Sequence, residues 1–310
     1  MKIVFMGTPD IAIPVLEQIA DADYGHEILS VYTQPDRKAG RGRKITTTPI
    51  KEYAISKKYK VLQPQNFKDP DSVSVLKGFN ADIAVVAAYG IILPIQVLNL
   101  FRHGCINLHP SLLPKYRGPS PVASAILAGE RIKGTTIIKL DSGMDSGSIL
   151  DQKEMNILEN EFCGELTARL FTLGSIMIPE IISKLENRGG ASTFDQDHDK
   201  ATFTEKLSRN DGLIDWTKGS DIIWREIRAY NPWPGSHTKF KGKNLKIIES
   251  KISTEYKLPS GHVSIHRNEV YIGTGDGALN IKKLQADGGK IVLAADFTRG
   301  HKDFEHTILG

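Results

Sequence analysis

The chain has 310 residues, of which 40% are hydrophobic and 25% charged, and its formal net charge is +4. These values are typical of a soluble globular protein, and the length suffices for two domains. The only cysteines, Cys105 and Cys163, are far apart and have no CxxC spacing. This pattern argues against a zinc site or a disulfide framework and fits reduced thiols in the cytoplasm. No apolar run approaches the roughly 18–20 residues of a membrane span, so we expect no membrane association.

The positive charge is unevenly distributed along the chain. Residues 206–310 carry 17 Lys and Arg against 12 Asp and Glu, whereas residues 1–205 carry 23 against 24. Within the near-neutral part, the loop 34–46 is densely basic. Both features fit a polyanionic partner, and both also fit a solvated surface with uneven charge.

The first half of the chain alternates strand-like and helix-like stretches. The strand-like runs lie at 2–7, 27–33, 61–64, 82–88, 104–109 and 134–140, and the helix-like segments include 48–58, 70–78 and 163–187. This alternation predicts an α/β domain with a doubly wound, mostly parallel sheet of the Rossmann-like kind. In such sheets the functional site lies beyond the carboxyl ends of the strands.

The last third of the chain has a different pattern. After a predicted helix at 218–229 and a proline-rich turn at 231–235, short β runs follow one another, separated by turn residues. The spacing predicts a small antiparallel β-barrel, OB-like in kind. We therefore predict a catalytic domain at 1–188, a polar linker at 189–205 and a barrel domain at 206–310.

Three polar side chains are candidates for acyl-transfer chemistry. Asn107 and His109 alternate on one strand and so project to the same face. Asp145 follows the run 134–140, which we expect to lie parallel to that strand about 5 Å away. An amide can stabilise an oxyanion, an imidazole can move protons, and a carboxylate can orient the imidazole. Taken singly, each residue also fits a structural role: a strand-end amide, a structural histidine and an Asx turn.

No serine or cysteine in this region has the context of a nucleophile. Ser111 lacks a GxSxG elbow, and Cys105 lies within an apolar strand, where a structural thiol is expected. The incoming amine would then attack directly. The segment after the first strand, Gly7-Thr8, lacks the GxGxxG fingerprint, which argues against a dinucleotide enzyme.

Beyond spacing, the residues carry a family resemblance. The run Asn107–Gly118 (NLHPSLLPKYRG) and the loop Asp141–Gly147 (DSGMDSG) closely resemble the folate-dependent formyltransferase family. Further matching segments lie at 5–10, 33–44, 88–94, 214–216, 231–235 and 274–279. The SLLP block is specific for formyl transfer from folate and less specific for the acceptor.

The resemblance implies roles for these residues. Asn107 would polarise the formyl oxygen, while His109 and Asp145 would manage the amine proton and the tetrahedral intermediate. The cosubstrate would be 10-formyltetrahydrofolate, without a metal. Its pocket would be lined by Ser111, Leu112, Leu113, Pro114, Tyr89, Ile91 and Leu93, which include the apolar walls that a flat pterin needs.

The acceptor implied by the resemblance is initiator methionyl-tRNA. The basic loop would enter the acceptor arm of the tRNA through Arg37, Arg41, Arg43 and Lys44, and the basic barrel would dock on RNA. Because no long apolar surface stripe stands out, we expect a monomer. Two alternatives stay open: a formyltransferase acting on an amino-sugar nucleotide, and a catalytically inactive nucleic-acid-binding protein.

Overall fold

The computed structural model describes residues 1–39, 44–186 and 191–310. These residues form two compact units. Unit 1 comprises Met1–Gly118, Ile132–Asn156 and Thr167–Thr204, and unit 2 comprises Pro119–Arg131, Ile157–Leu166 and Glu205–Gly310. Two short segments that precede residue 167 thus belong to unit 2. The domain limits that we place at residues 188 and 205 follow sequence order alone and stay a prediction.

Strands and helices are numbered here in chain order. The strands are β1 (Lys2–Gly7), β2 (Glu27–Tyr32), β3 (Arg37–Ala39), β4 (Lys44–Thr46), β5 (Val61–Leu62), β6 (Ile83–Ala87), β7 (Cys105–His109), β8 (Ile132–Lys139), β9 (Ile149–Asn156), β10 (His237–Phe240), β11 (Lys243–Ser253), β12 (Val263–His266), β13 (Glu269–Gly273), β14 (Ala278–Ala286) and β15 (Ile291–Leu293). The helices are α1 (Ile13–Ile19), α2 (Pro49–Ser56), α3 (Pro70–Lys77), α4 (Ile95–Leu98), α5 (Pro121–Leu127), α6 (Cys163–Glu186), α7 (Ser220–Ala229) and α8 (Ala294–Gly300). Short 3-10 turns lie at Asp10–Ala12, Ala22–Tyr24, His198–Lys200, Asn210–Gly212 and Lys302–Phe304.

The main sheet of unit 1 has the strand order β5-β2-β1-β6-β7-β8-β9. The strands from β5 to β7 pair in parallel, and β8 and β9 pair antiparallel at one edge. β1 and β6 are buried along nearly their whole length, as expected for central strands covered on both faces. The predicted α/β fold with a mostly parallel sheet is confirmed.

One strand direction differs from the prediction. We expected β8 to lie parallel to β7, but the two strands are antiparallel, with Ile106 opposite Lys139 and His109 opposite Thr136. A parallel neighbour requires a crossover, usually a helix packed on the sheet. The intervening helix α5 instead packs within unit 2, where the main-chain oxygen of Leu127 accepts a hydrogen bond from Arg225 of α7 at 3.0 Å. Without a crossover helix, β8 returns in the opposite direction.

Local signals in the sequence explain where two helices of unit 1, α2 and α3, begin. Thr48 caps α2, because its hydroxyl oxygen accepts a hydrogen bond from the Lys51 amide at 3.2 Å. Asp69 caps α3 in the same way, accepting from the Asp71 amide at 3.1 Å. Each cap is followed by a proline at the first helical position, whose fixed φ suits a helix start. These caps agree closely with the helix starts predicted from sequence.

The long helix α6 packs closely on the sheet. A Cβ atom added at Gly174 would lie 2.3 Å from Leu108 Cδ1 of β7 and 3.2 Å from Thr135 Cγ2 of β8. Among the residues that the structure describes, α6 is the one helix long and apolar enough to span a bilayer, and 56% of its most apolar 18-residue window is buried. Buried side chains such as Ile178 and Ile182 place it in the core of unit 1.

Unit 2 is built around an antiparallel sheet. Its strands follow the order β10-β11-β14-β13-β12, and β15 also pairs with β14. The pairing of β11 with β14 shifts register between Ile247 and Ser250, and such bulges increase twist and bend a sheet. A hydrophobic core that includes Trp216, Ile247, Ile272 and Phe304 fills its inner side. The predicted antiparallel, barrel-like second part is confirmed.

We predict that Gly273→Ala destabilises unit 2 by roughly 2 kcal/mol, because overpacking against rigid atoms costs free energy. A Cβ atom at Gly273 would lie 1.9 Å from the main-chain oxygen of Pro259, which cannot move without disturbing the β12–β13 edge. Calorimetric unfolding checks the effect. Gly277→Ala is the matched control, because among the described residues beyond its chain neighbours a single heavy atom, Ser220 Oγ at 3.9 Å, lies within 4 Å of its Cβ. Equal melting temperatures for the two variants would contradict this account.

Candidate active site

The strand β7 brings Asn107 and His109 to one face of the sheet. In β7, Asn107 lies between Val86 of β6 and Ile138 of β8, and it is partly exposed. Its side chain forms no hydrogen bond within residues 1–39, 44–186 and 191–310. A primary amide in this position has two N–H donors free. It can therefore donate to an oxygen that gains negative charge beside the strand.

His109 is buried, with 4% of its surface exposed, and both ring nitrogens have partners. Nε2 lies 3.0 Å from the main-chain oxygen of Tyr116, and Nδ1 lies 3.5 Å from Oδ2 of Asp145. Because a carbonyl oxygen can only accept, Nε2 carries the hydrogen of this contact. In the neutral ring, Nδ1 then presents its lone pair toward the carboxylate, and a proton added to the ring would lie between Nδ1 and Asp145.

Burial and charge act in opposite directions on the imidazole. Burial lowers the pKa of His109 from its ordinary value, because the charged ring loses water. The Asp145 carboxylate and the Tyr116 carbonyl raise that pKa, and Lys133 lowers it further. The net direction is downward, so the resting ring is neutral near pH 7. It can accept a proton whose charge the Asp145 carboxylate then stabilises.

Asp145 reaches His109 by a different path from the one expected. Because β8 is antiparallel to β7, its last residue lies beside Ile106 rather than beside His109. The loop after β8 therefore has to bring Asp145 back along β7. Oδ2 of Asp145 accepts a hydrogen bond from the Gly118 amide at 2.8 Å, and its φ of +49° is left-handed. The structure thus brings His109 and Asp145 together, although the reasoning from parallel strands was wrong.

The loop 111–114 lies next to this group and is held from inside the protein. The Ser111 hydroxyl donates to the main-chain oxygen of Lys115 at 2.7 Å and is fully buried. Thr136 of β8 donates to the Ser111 carbonyl and accepts from the Leu113 amide. Sequence reasoning missed Thr136, although its position opposite His109 follows once the register is known. Leu112 and Pro114 are partly exposed and so can form an apolar wall.

The segment 88–93 divides into a buried and an exposed part. The Tyr89 ring is 1% exposed and lies in the core, where burial raises the pKa of its hydroxyl. Its main-chain oxygen accepts hydrogen bonds from Thr8 at 2.7 Å and from Gln34 at 2.9 Å. Ile91 and Leu93 are only partly buried against the same core. These two side chains, rather than the Tyr89 ring, are available to an apolar ligand.

Two further residues of the site were missed by sequence reasoning. Arg117 is buried, and its Nε and Nη2 donate to Oε1 of Gln196 at 3.1 and 2.7 Å. Nε2 of Gln196 donates to the main-chain oxygens of Asp145 and Gly147, each at 2.8 Å. Gln196 lies in the segment predicted as a polar linker, and no local sequence pattern marks it as a partner of the 145–147 loop.

The basic loop is described only at its ends. β3 and β4 pair antiparallel, with Arg37 opposite Thr46, and Arg37 is exposed. Lys44 is the first residue of β4. Arg41 and Arg43 lie outside the described residues. Before the hairpin, Asp36 is bound by Lys51 at 2.5 Å and by Gln63 at 2.8 Å, and these contacts lower the pKa of its carboxyl.

Other candidate chemistries have little support in the described residues. Burial raises the pKa of the Cys105 thiol to about 12, so this thiol stays protonated and unreactive. Over residues 1–39, 44–186 and 191–310, no group of three or more His, Cys, Asp and Glu side chains is arranged to hold a metal ion. The arrangement that remains is an amide donor beside an imidazole–carboxylate pair. It can stabilise an oxyanion and take up one proton.

Family and sequence comparisons agree with this arrangement. Residues 1–182 match the model of the family described as formyl transferase, and residues 206–302 match that of the formyl transferase C-terminal domain. The chain is 42% identical over 302 residues to the methionyl-tRNA formyltransferase of Roseiflexus sp. (strain RS-1), covering 97% of this chain and 92% of the relative. It is 43% identical over 304 residues to the enzyme of the same name from Chloroflexus aggregans, covering 97% of each chain.

A solved structure shares the fold. The N-formyltransferase from Helicobacter canadensis, described in complex with folinic acid and dTDP-3-aminofucose, superposes with a TM-score of 0.65. The two chains are 21% identical over 91% of this chain and 98% of that one. With both family models matched in order and relatives of over 40% identity along nearly the whole length, this chain belongs to the formyl transferase family.

Proposed function

We propose that this protein transfers the formyl group of 10-formyltetrahydrofolate to the amino group of initiator methionyl-tRNA, which gives formylmethionyl-tRNA for translation initiation. The observation that carries the proposal is the similarity to relatives named methionyl-tRNA formyltransferase, at 42 and 43% identity over 97% of the chain. This similarity spans both units, so it covers the part that would bind the acceptor as well as the part that would bind the folate.

The geometry around β7 supports direct attack by the amine. As the amine nitrogen bonds to the formyl carbon, the formyl oxygen gains negative charge, and the unpartnered amide of Asn107 can donate to it. The nitrogen must then lose a proton. Nδ1 of His109 is the ring nitrogen that can accept it, because Nε2 is bonded to the Tyr116 carbonyl. Asp145, 3.5 Å from Nδ1, would stabilise the imidazolium that forms. As the bond between the formyl carbon and the folate nitrogen breaks, that nitrogen takes up a proton, which restores the balance of the one accepted by His109, and tetrahydrofolate leaves.

The folate site that we propose lies between the segments 88–93 and 111–114. Ile91, Leu93, Leu112 and Pro114 keep part of their apolar surface accessible, which suits the flat faces of a pterin. Ser111, Leu113 and Tyr89, which we also assign to this pocket, have buried side chains. Because the Ser111 carbonyl, the Leu113 amide and the Tyr89 carbonyl are already hydrogen-bonded within the protein, these residues would hold the apolar walls of the pocket in place from inside. The related enzyme from Helicobacter canadensis, described with folinic acid, supports a folate ligand for this fold.

Binding of the tRNA is assigned to the basic loop and to unit 2. Arg37, Arg41, Arg43 and Lys44 supply the charge of the loop, which would pair with phosphates of the acceptor arm. In unit 2, exposed lysines are concentrated on the β10–β11 hairpin, at positions 239, 241, 243 and 246. An exposed basic strand pair of this kind supports RNA docking. We assign residues 206–310 to this role.

The reaction is assigned to the cytoplasm and to a monomer. Cys105 and Cys163 are both free thiols, as expected in a reducing compartment. Sedimentation of the purified protein at micromolar concentration tests the monomer.

An amino-sugar nucleotide is the competing acceptor, since the Helicobacter canadensis enzyme of the same fold is described with such a ligand. The test is formyl transfer from 10-formyltetrahydrofolate to methionyl-tRNA, with dTDP-3-aminofucose as the parallel acceptor. We expect transfer to the tRNA. Transfer to the sugar alone would contradict the proposed acceptor, and transfer to neither would contradict the proposed chemistry.

We predict that Asn107→Ala lowers kcat about 100- to 1,000-fold, as expected for loss of an oxyanion donor. The free energy of unfolding should change little, because the Asn107 side chain has no hydrogen-bond partner among the described residues. Single-turnover transfer and thermal unfolding measure the two effects. The control is Asn99→Ala, an exposed asparagine after α4. Equal turnover by the two variants would remove Asn107 from the mechanism.

We predict that Asp145→Asn lowers kcat by a similar factor and lowers the pKa of His109 further. The asparagine oxygen can still accept from the Gly118 amide, so the loop is retained, but the negative charge that favours the imidazolium is lost. NMR titration of the His109 ring measures the pKa. Burial and Lys133 then lower the pKa of the ring with the Tyr116 carbonyl opposing them and the Asp145 charge gone, so the midpoint moves to lower pH. An unchanged or higher midpoint would contradict the pairing of Asp145 with His109.

We predict that replacing Arg41 and Arg43 by alanine raises the KM for methionyl-tRNA with little change in the KM for the folate. The defect should shrink at high salt, because lost phosphate contacts reduce the salt dependence of binding. Kinetics at about 50 and 200 mM salt test this. The matched control replaces two exposed lysines of unit 1, Lys68 and Lys77. If both double variants have the same KM for tRNA, the loop has no specific role.

A further inference from the structure

Gln196 uses its whole hydrogen-bonding capacity inside the site, although it lies in a segment of polar, mostly exposed residues. It is 5% exposed, while its neighbours Asp195 and Asp197 are exposed. Its amide nitrogen donates to the main-chain oxygens of Asp145 and Gly147, and its amide oxygen accepts two hydrogen bonds from Arg117. A primary amide has two donors and two acceptor lone pairs, so all four are in use.

The two partners of Gln196 are the two segments that hold the Asp145 carboxylate. One is the loop that contains Asp145 itself. The other contains Arg117, whose successor Gly118 donates its amide hydrogen to Asp145 Oδ2 at 2.8 Å. The segment around Gln196 is further tied to Arg117 by main-chain hydrogen bonds of 2.8 Å through Thr202 and Thr204. A single side chain thus ties the main chain of the Asp145 loop to the segment that binds its carboxylate.

The Asp145 loop benefits from such support because it contains a left-handed residue and passes very close to β8. Asp145 has a φ of +49°, a left-handed conformation that is uncommon for residues other than glycine, although aspartate adopts it more readily than most. Two residues later the chain passes so close to β8 that a Cβ atom on Gly147 would lie 1.8 Å from the Lys139 carbonyl oxygen. The hydrogen bonds from Gln196 fall on the carbonyls of these same two residues.

We propose that Gln196 is a positioning residue for the transfer reaction, which keeps the Asp145 carboxylate beside Nδ1 of His109. The effect on rate rests on the function proposed above, whereas the effect on the Asp145–His109 contact does not. Gln196 does not contact His109, and it acts through its hydrogen bonds to the Asp145 loop and to Arg117, which precedes the Gly118 amide that binds the carboxylate. Misplacing a catalytic group by about 1 Å can cost on the order of 100-fold in rate.

The first test compares Gln196→Met with the wild-type protein. Methionine has nearly the same shape but forms none of the four hydrogen bonds. We expect kcat to fall about 10- to 100-fold, while the KM for the folate changes less than about 2-fold, because the proposed folate walls lie on other segments. A wild-type kcat in this variant would overturn the proposal.

The second measurement needs no substrate. The groups that face the His109 ring are Asp145 from the loop after β8, the Tyr116 carbonyl, and Lys133 from β8. Of these, Asp145 is the one that Gln196 holds. When its carboxylate moves away, the charge that favours the imidazolium is weakened. The NMR midpoint of His109 should then move to lower pH in Gln196→Met, the same direction as in Asp145→Asn. An unchanged midpoint alongside a reduced kcat would show that Gln196 acts by another route and would overturn the proposal.

Two variants separate the loop contacts from the rest of the segment. Gln196→Glu can still accept from Arg117 but cannot donate to the carbonyls of Asp145 and Gly147, so we expect it to lose activity as Gln196→Met does. His198→Ala removes the other side-chain acceptor of Arg117, at 3.1 Å, without touching the Asp145 loop, so we expect near-wild-type kcat and an unchanged His109 midpoint. If Gln196→Met fails to fold, Gln196→Glu gives the decisive kcat. Full activity of Gln196→Glu, or an equal loss in His198→Ala, would overturn the proposal.

If wild-type protein transfers no formyl group to any tested acceptor, the proposed function fails. The His109 titrations still decide whether Gln196 positions Asp145.

Discussion

The hydrogen bond between Nε2 of His109 and the Tyr116 carbonyl determines how the rest of the site can work. A carbonyl oxygen can only accept, so this contact leaves Nδ1 as the nitrogen that can take up a proton. Nδ1 is buried, and an imidazolium formed there needs a nearby negative charge. The conformation of the 140–148 loop, the hydrogen bond from the Gly118 amide and the hydrogen bonds of Gln196 to the loop together hold the Asp145 carboxylate near Nδ1.

The side chains of Asn107 and Asp145, for which we propose different roles in the reaction, are held in place in different ways. Asn107 is fixed by the strand ladder, since β6 and β8 pair on either side of it and its own side chain stays free to donate. Asp145 is fixed by side chains and main-chain groups from separate loops. A strand position tolerates little movement, whereas a loop carboxylate stays in place only while its supports do. In the mechanism that we propose, the part of the site that accepts the proton is therefore the part that depends on distant residues such as Gln196.

Much of the fold follows from local sequence signals. The caps at Thr48 and Asp69, each followed by proline, predict the starts of α2 and α3, and the apolar run before Gly90 predicts the central strand β6. Predictions from a single segment fail where the conformation of that segment depends on packing against a distant one, or where its own pattern is weak. The sequence does not predict β9, because Leu150 is its one buried residue and the rest of the strand from Asp151, DQKEMN, is mostly polar. The sequence predicts a loop where β3 and β4 pair, because three-residue strands leave little periodicity. The predicted direction of β8 is wrong, because nothing in the residues of β8 shows that the preceding helix α5 packs in unit 2.

The sequence by itself determined the family, the mostly parallel sheet and the candidates Asn107, His109 and Asp145, because motif residues and strand alternation are local properties of the chain. Only the tertiary structure decided which nitrogen of His109 faces Asp145, how the loop returns along an antiparallel strand, and that Arg117 and Gln196 are hydrogen-bonded beside that loop. Gln196 lies 51 residues from Asp145 along the chain. A hydrogen bond over that separation exists only once both segments have packed on the same sheet, so no pattern within either segment can encode it alone.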